Sequence, residues 1–474
     1  MKKNGLILLG FILLSVLVRI FTFYSTVLSH DESTYLVIAQ ELLRGKLLYK
    51  DLLDIKPIGI YALFAGIITI HKSIFFIRLV ATILVAATAF LLYKVKYTFS
   101  KHTILSLSVG AFYIFALTTR KAVSPNTEVY FVFFSILGLY FLAKAQQNRF
   151  SIFLAGLSLG IGFIIKYVVL FDFIFLSIYF FILLNTAQSV KGKVLFFLKN
   201  ATILFIGLII PFLAVHLYFY QLGIFEEFLY MTYQAPLRYS ENRSFLTKLD
   251  FAAGIHKYYL VFMILFYLSL LFATKRKEMV FTLIWFVVTL FGVSVMGGGY
   301  HHYMVQCMPA ACFIGPNLLF QTRRFSQRIP LKWSKPIAFL LVLGTTAFTM
   351  VKFKNKFYDS SKTDINIEIA TYINTIKQND ETLFVSPAKM QVINFLTSLS
   401  TPDRVIHPTN YTKESRKYTF NINLKDECNR IWNSKPTYIL ADKETFLCSP
   451  FYSITDKYTL VKKFRDHFYL YKIQ

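Results

Sequence analysis

Asp31 and Glu32 stand side by side at the edge of a long apolar run, and Lys56 follows them just before Pro57. Carboxylates beside a hydrocarbon-spanning element are costly unless they face water, a cavity or a partner. A carboxylate so placed can act as general base on a hydroxyl or amine. A lysine near it can neutralise a departing phosphate. The polar stretch that holds them, residues 28–61, also carries Tyr35, Tyr49, Asp51, Asp54 and Tyr61. Glu128, Lys166, His301, His302 and Tyr303 occupy similar short polar breaks further on, and Arg78 lies in the first turns of an apolar run. Acids with lysines nearby, at a membrane surface, suit a reaction on an anionic lipid head group.

Each of these residues also has a plainer reading. Asp31 or Glu32 can cap a helix, and Glu128 at a helix start is favoured by the helix dipole. Asp51 and Asp54 suit turns. Lys56 and Arg19 can snorkel to the interface. Two adjacent histidines rarely chelate one ion without further ligands, so His301 and His302 read as part of an aromatic and polar belt. No ligand set for a metal and no cofactor motif is visible, so a metal-free, cofactor-free reaction is expected.

The elements that would carry these residues follow from composition. The chain has 474 residues, 55% of them hydrophobic and only 16% charged, with a mean hydropathy of +0.52. A soluble domain carries about a quarter charged residues. Apolar runs of about 20 residues recur, the length that crosses a bilayer core. The expectation is a polytopic all-α membrane protein. The formal charge of +26 does not indicate nucleic acid, because the excess falls in short loops on alternate sides of the apolar runs.

Eleven spans are expected, near 5–28, 73–93, 103–118, 125–143, 151–166, 168–186, 200–221, 257–274, 279–296, 304–320 and 336–351. The first, preceded by Met1-Lys2-Lys3, lacks a small-x-small cleavage site and reads as uncleaved. Between spans 1 and 2 an amphipathic helix is expected over 33–44, capped by Ser33 or Thr34, and an interfacial helix over 57–70. The N-terminus and loops 94–102, 144–149, 187–199, 275–278 and 321–335 hold 18 Lys and Arg and a single acid, Glu278. That set is therefore cytoplasmic. The first loop, Glu128, the His-His turn and the tail then lie together outside.

The tail, 353–474, changes character. A helix over 363–378, strand-like runs at 382–386, 404–407 and 437–441, helices near 388–398 and 424–433 and a hairpin over 458–473 suggest a small α/β domain. The division expected is 1–352 for the membrane domain and 353–474 for an extracytoplasmic one. Cys307 and Cys312 read as core residues. Cys428 and Cys448 either bridge, if the tail is in an oxidising compartment, or stand as free thiols.

Several motifs resemble the membrane glycosyltransferases of the GT-C class, and within it the protein mannosyltransferase and aminoarabinose transferase group. They are Asp31-Glu32-x-x-Tyr35, Ala39, Gly45, Tyr49, Asp51, Lys56-Pro57-x-x-x-Tyr61 and Arg78, followed by Asn126-Thr127-Glu128, Gly156-x-x-x-Gly160 through Lys166, and His302-Tyr303 through Pro309. The resemblance covers nearly the whole chain. It implies a polyprenyl-phosphate-linked sugar donor (undecaprenyl type if the protein is bacterial), a lipid, glycan or protein acceptor, and inverting transfer at the outer face of the cytoplasmic membrane. By the resemblance Asp31 is the acid/base, aided by Glu32. Lys56, with Arg78 and Lys166, holds the phosphate. Glu128 orients acceptor or sugar, and Tyr35, Tyr61, His302 and Tyr303 line the substrate groove.

Two other readings stand beside this one. A lipid transporter or flippase would also place polar residues near spans, and Asp172 and Lys166 lean that way. Transporters, however, show internal repeats and midplane sites, and no repeat is evident. A binding module on a membrane anchor would need far fewer spans.

Overall fold

A computed structural model describes residues 2–119, 122–145, 148–183, 189–241, 254, 259–271, 276–296, 300–318, 331–387, 390–407, 409–412, 414–442 and 446–474. Lys275, Arg323, Arg324, Arg328 and the glycines at 297–299, used above in the charge pattern and the His-His turn, lie outside the described residues, as do parts of expected spans 8 and 10. The first half of the chain forms α1 (Lys2–Arg19), α2 (His30–Leu43), α3 (Ile58–Ile70), α4 (Ile74–Ser100), α5 (Thr103–Ala116), α6 (Thr127–Lys144), α7 (Arg149–Ile165), α8 (Val169–Leu176) and α9 (Val190–Gln221).

Among the described residues, five helices are long and apolar enough to cross a membrane: Lys3–Phe23, Ile74–Ser100, Thr127–Lys144, Val190–Gln221 and Arg276–Val295. Shorter apolar helices, Thr103–Ala116, Arg149–Ile165, Val169–Ile182 and Leu260–Leu271, stand where spans 3, 5, 6 and 8 were expected. A further helix, Leu331–Phe353, stands at the place of span 11. Among the described residues, five of the eleven expected spans thus meet the length and composition of a crossing helix.

The chain divides into two compact units. One comprises Met1–Phe23, Ile77–Tyr218 and Arg243–Lys356. Its helices approach closely where side chains are absent. A Cβ on Gly156 would collide with the Leu204 carbonyl, one on Gly160 with the Leu208 carbonyl, and one on Gly207 with the Phe153 carbonyl. The Gly156-x-x-x-Gly160 motif is therefore a backbone-to-backbone seam between α7 and α9. Glu278, expected in a cytoplasmic loop, is instead buried in the first turn of the helix Arg276–Met296. It accepts from Lys96, itself within α4 and buried, and from Asn317 Nδ2 at 3.0 Å.

The other unit comprises Tyr24–Phe76, Phe219–Asn242 and Phe357–Gln474, so the first polar loop folds together with the tail. Its sheet has the order β1-β2-β4-β3, from β1 (Leu383–Val385), β2 (Tyr438–Asp442), β3 (Tyr458–Phe464) and β4 (Phe468–Ile473). β1 and β2 are parallel, and β3 and β4 form the expected hairpin. The helices Ile365–Ile376, Val392–Thr397 and Leu424–Asn433 match the expected ones. Residues 404–407 do not form a strand. The Arg404 carbonyl accepts Leu53 N–H at 2.7 Å and Val405 N–H is taken by Asp403 Oδ1 at 2.8 Å, which leaves no free ladder edge. Cys428 and Cys448 are bridged, with Cα atoms 5.4 Å apart, whereas Cys307 and Cys312 are buried free thiols.

Candidate active site

The loop around Asp31 is built on a helix cap. α2 begins at His30, three residues before the expected start, because Ser29 is its N-cap. Ser29 Oγ accepts Glu32 N–H at 3.2 Å, and Glu32 Oε2 accepts Leu28 N–H at 3.1 Å. The Ser-x-x-Glu spacing is that of a capping box, with Glu32 reaching back to the N–H one residue before the cap. Asp31 and Glu32 both sit in the first turn, where the dipole favours negative charge. Glu32 is buried and serves the cap, whereas the Asp31 side chain keeps about a fifth of its surface open, at 21%.

α2 was expected as an amphipathic surface helix, but Glu32 through Glu41 are all buried. It packs on α3 and on the helix Val392–Thr397. Gln40 Nε2 donates to the carbonyls of Asn394 and Leu399, each at 3.3 Å, and Ser400 Oγ donates to Glu41 at 2.6 Å. Burial pushes the Glu41 carboxyl up, but hydrogen bonds from Lys46 and Ser400 outweigh it and hold the group below the usual range. The tail thus fixes the helix that carries Asp31.

Lys56 reaches that first turn. Its Nζ lies 3.1 Å from Asp31 Oδ1, 3.7 Å from Asp54 Oδ1 and 5.2 Å from the centre of the Tyr35 ring. Its backbone is equally constrained. Lys56 N–H donates to Asp54 Oδ1 at 3.1 Å, and Tyr49 Oη donates to the Lys56 carbonyl at 2.9 Å. Tyr49 is buried in the left-handed region, at φ 74°, with its ring against Phe219 and Phe228. A bulky residue there is a strained position that surrounding packing must hold. Tyr35 stacks edge-on against Tyr61 at 5.8 Å and Phe64 at 5.3 Å, joining α2 to α3. Asp51 and Asp54 both fix turns, Asp51 by accepting Leu47 N–H at 2.8 Å.

A second cluster belongs to the other compact unit. Glu128 opens α6, buried, and is ion-paired with Lys166. Lys166 caps α7 in an extended conformation, φ −159°, which breaks the helical run before α8. Its ammonium lies 3.6 Å above the Tyr303 ring, and His302 packs edge-on against Tyr303 at 4.7 Å. Arg78 donates to the Thr22 carbonyl at 2.6 Å within the same unit. Arg19, expected to snorkel, is buried and donates to the Val123 carbonyl.

Of the residues singled out in sequence, the structure brings Asp31, Lys56, Tyr35 and Tyr61 together, and separately Glu128, Lys166, His302 and Tyr303. Ser29 was not singled out in sequence, and Tyr49 and Asp54 were named without a role in the chemistry, yet all three set the geometry of this cluster. The Ser-x-x-Glu spacing was a readable signal for Ser29. The left-handed Tyr49 carried none. Among the described residues no three of His, Cys, Asp and Glu gather as a metal ligand set.

This architecture, apolar helices with a polar first loop and a small C-terminal sheet, is a GT-C-like fold. The structure of ArnT from Cupriavidus metallidurans bound to undecaprenyl phosphate matches 98% of this chain and 97% of its own length, with a TM-score of 0.68 at 13% identity. Its apo state matches at a TM-score of 0.68 and 12% identity, over 99% of this chain and 98% of that one. The Archaeoglobus fulgidus oligosaccharyltransferase AglB, in complex with an inhibitory peptide and a dolichol-phosphate, matches 93% of this chain and 69% of its own, with a TM-score of 0.52 at 10% identity. No family model and no curated protein sequence matches the chain.

Proposed function

We propose that the protein transfers a sugar from a polyprenyl-phosphate-linked donor to a lipid, glycan or protein acceptor at the outer face of the cytoplasmic membrane. The observation that carries this reading is the Asp31–Lys56 pair, 3.1 Å apart in the first turn of a capped helix. It is supported by the shared fold, whose known examples hold undecaprenyl phosphate and dolichol-phosphate.

Without substrate, Lys56 is shared between Asp31 and Asp54. A donor phosphate competes for the same ammonium, and binding it draws Lys56 from Asp31 toward the phosphate. Asp31 then accepts the proton of the acceptor hydroxyl or amine as that atom bonds to the anomeric carbon. The bond from that carbon to the phosphate oxygen breaks, and the phosphate departs with the electron pair, its charge met by Lys56. A single displacement of this kind inverts the anomeric centre. On the sequence resemblance, Arg78 and Lys166 are assigned to further positive charge for the donor, Glu128 to acceptor or sugar, and Tyr35, Tyr61, His302 and Tyr303 to substrate contact.

The proposed topology has eleven spans, a cytoplasmic N-terminus and the tail outside. The Cys428–Cys448 bridge supports an oxidising compartment for the tail. The test is reconstitution of purified protein in vesicles with an undecaprenyl-phosphate-linked sugar. Release of undecaprenyl phosphate with formation of a new glycosidic bond supports the reading. Movement of the lipid between leaflets with no glycosidic product would favour the transporter instead.

A further inference from the structure

Three segments of the membrane unit meet twice. The first meeting is Glu128 on α6, Lys166 at the α7–α8 break and Tyr303 in the 3-10 helix His301–Cys307. The second involves one further residue from each. Asp172 of α8 accepts from Ser135 Oγ of α6 at 3.1 Å and from Gln306 Nε2 at 2.9 Å, with the Trp285 indole as a further donor. All three residues are buried.

The spacing makes the two sets stacked layers. Ser135 is seven residues after Glu128, two turns along the same face of α6. Gln306 is three residues after Tyr303, and a 3-10 helix eclipses side chains three apart. Asp172 follows Lys166 past the break, and Gln306 Nε2 also donates to the Val168 carbonyl at 3.0 Å, within the turn that Lys166 begins. One amide therefore grips both the segment of Lys166 and the carboxylate that holds α6.

We propose that Ser135, Asp172 and Gln306 form a positioning layer that sets the placement of Lys166 and Tyr303 against Glu128. None of the three touches substrate. The carboxylate that leaned toward a transport reading in sequence is here an internal clamp. The proposal rests on the catalytic reading only for its consequence in transfer; the clamp itself is a statement about geometry.

The test uses full-length protein in which Lys166→Cys and Tyr303→Cys are bridged by a short bis-maleimide, a readout that needs no substrate. Asp172→Ala and Gln306→Leu should each lower bridging at least about tenfold, as oriented groups lose placement. Asp172→Asn, whose amide oxygen can still accept from Ser135 and Gln306, should restore it. Ser15→Ala, which removes a buried hydrogen bond to the Thr82 carbonyl elsewhere in the unit, should leave it unchanged. Bridging in Asp172→Ala equal to the parent, or equal loss in Ser15→Ala, overturns the proposal. If Asp172→Ala does not fold, Gln306→Leu alone decides. In the transfer assay, with Lys166 and Tyr303 intact, Asp172→Ala should lower kcat about 10²-fold while Asp172→Asn retains it. Absence of transfer by the wild-type protein would count against the function and leave the bridging result to judge the clamp.

Discussion

At the scale of single residues, the roles divide by exposure. Glu32 is buried in the cap, whereas Asp31 is partly open and its ion pair with Lys56 is a contact that a phosphate can replace. Lys56→Gln should raise the KM for the lipid donor and lower kcat, read by steady-state kinetics. Glu128 is almost fully buried, its side chain 1% exposed, and paired with Lys166. Breaking one side of a buried pair leaves an uncompensated charge and costs about 3–5 kcal/mol. Lys166→Met should therefore lower the thermal midpoint, and Lys166→Met with Glu128→Gln should recover most of it without recovering transfer. In the tail, burial pushes Asp403 up to about 6, against hydrogen bonds from Tyr411 and Val405 N–H and with Arg430 and Glu427 facing it. The folded state thus binds this proton more tightly than the unfolded chain. The penalty is fully present above pH 6 and is relieved as pH falls toward 4. Glu427 acts the other way: burial raises it, but Arg404 and Arg430 hold it below the usual range, so its contribution is lost as pH falls below about 4.5. Thermal unfolding of the tail should therefore show stability rising between pH 7 and 5, and Asp403→Asn should flatten that slope.

At the scale of elements, α2 and the tail depend on each other. Ser29→Ala removes the cap that orients the Asp31 turn and should cost about 1 kcal/mol, measurable as a lower denaturation midpoint. Reducing the Cys428–Cys448 bridge should cost the tail about 3 kcal/mol, since it closes a loop of about 20 residues. Periodicity made the helices Ile365–Ile376 and Leu424–Asn433 legible in sequence, because each has one buried face at helical spacing. It misread two elements. α2 looked amphipathic because Tyr35, Leu36, Ile38, Ala39, Leu42 and Leu43 are apolar, yet the polar Gln40 and Glu41 are also buried, on partners in the tail that no local pattern can show. Residues 404–407 looked like a strand by composition, but their backbone is occupied by the first loop.

At the scale of the molecule, composition made the membrane class plain, and charge asymmetry gave an orientation. The motif spacing anticipated the GT-C-like fold, but it grouped as one site residues that fall in two clusters, one in each compact unit. What sequence lacked was the partition into units, with the first loop folding with the tail. That partition depends on contacts between residues more than 300 positions apart, such as Thr26 with Asp364 at 3.2 Å. The central claim is that this chain breaks a sugar–phosphate bond with Asp31 as the base. The most direct measurement is release of undecaprenyl phosphate from its sugar conjugate by purified wild-type and Asp31→Asn protein, followed by mass spectrometry of the product. The account predicts turnover by the wild type and a loss of about 10²–10⁴-fold in Asp31→Asn, with donor binding retained. Turnover by Asp31→Asn near that of the wild type would contradict it.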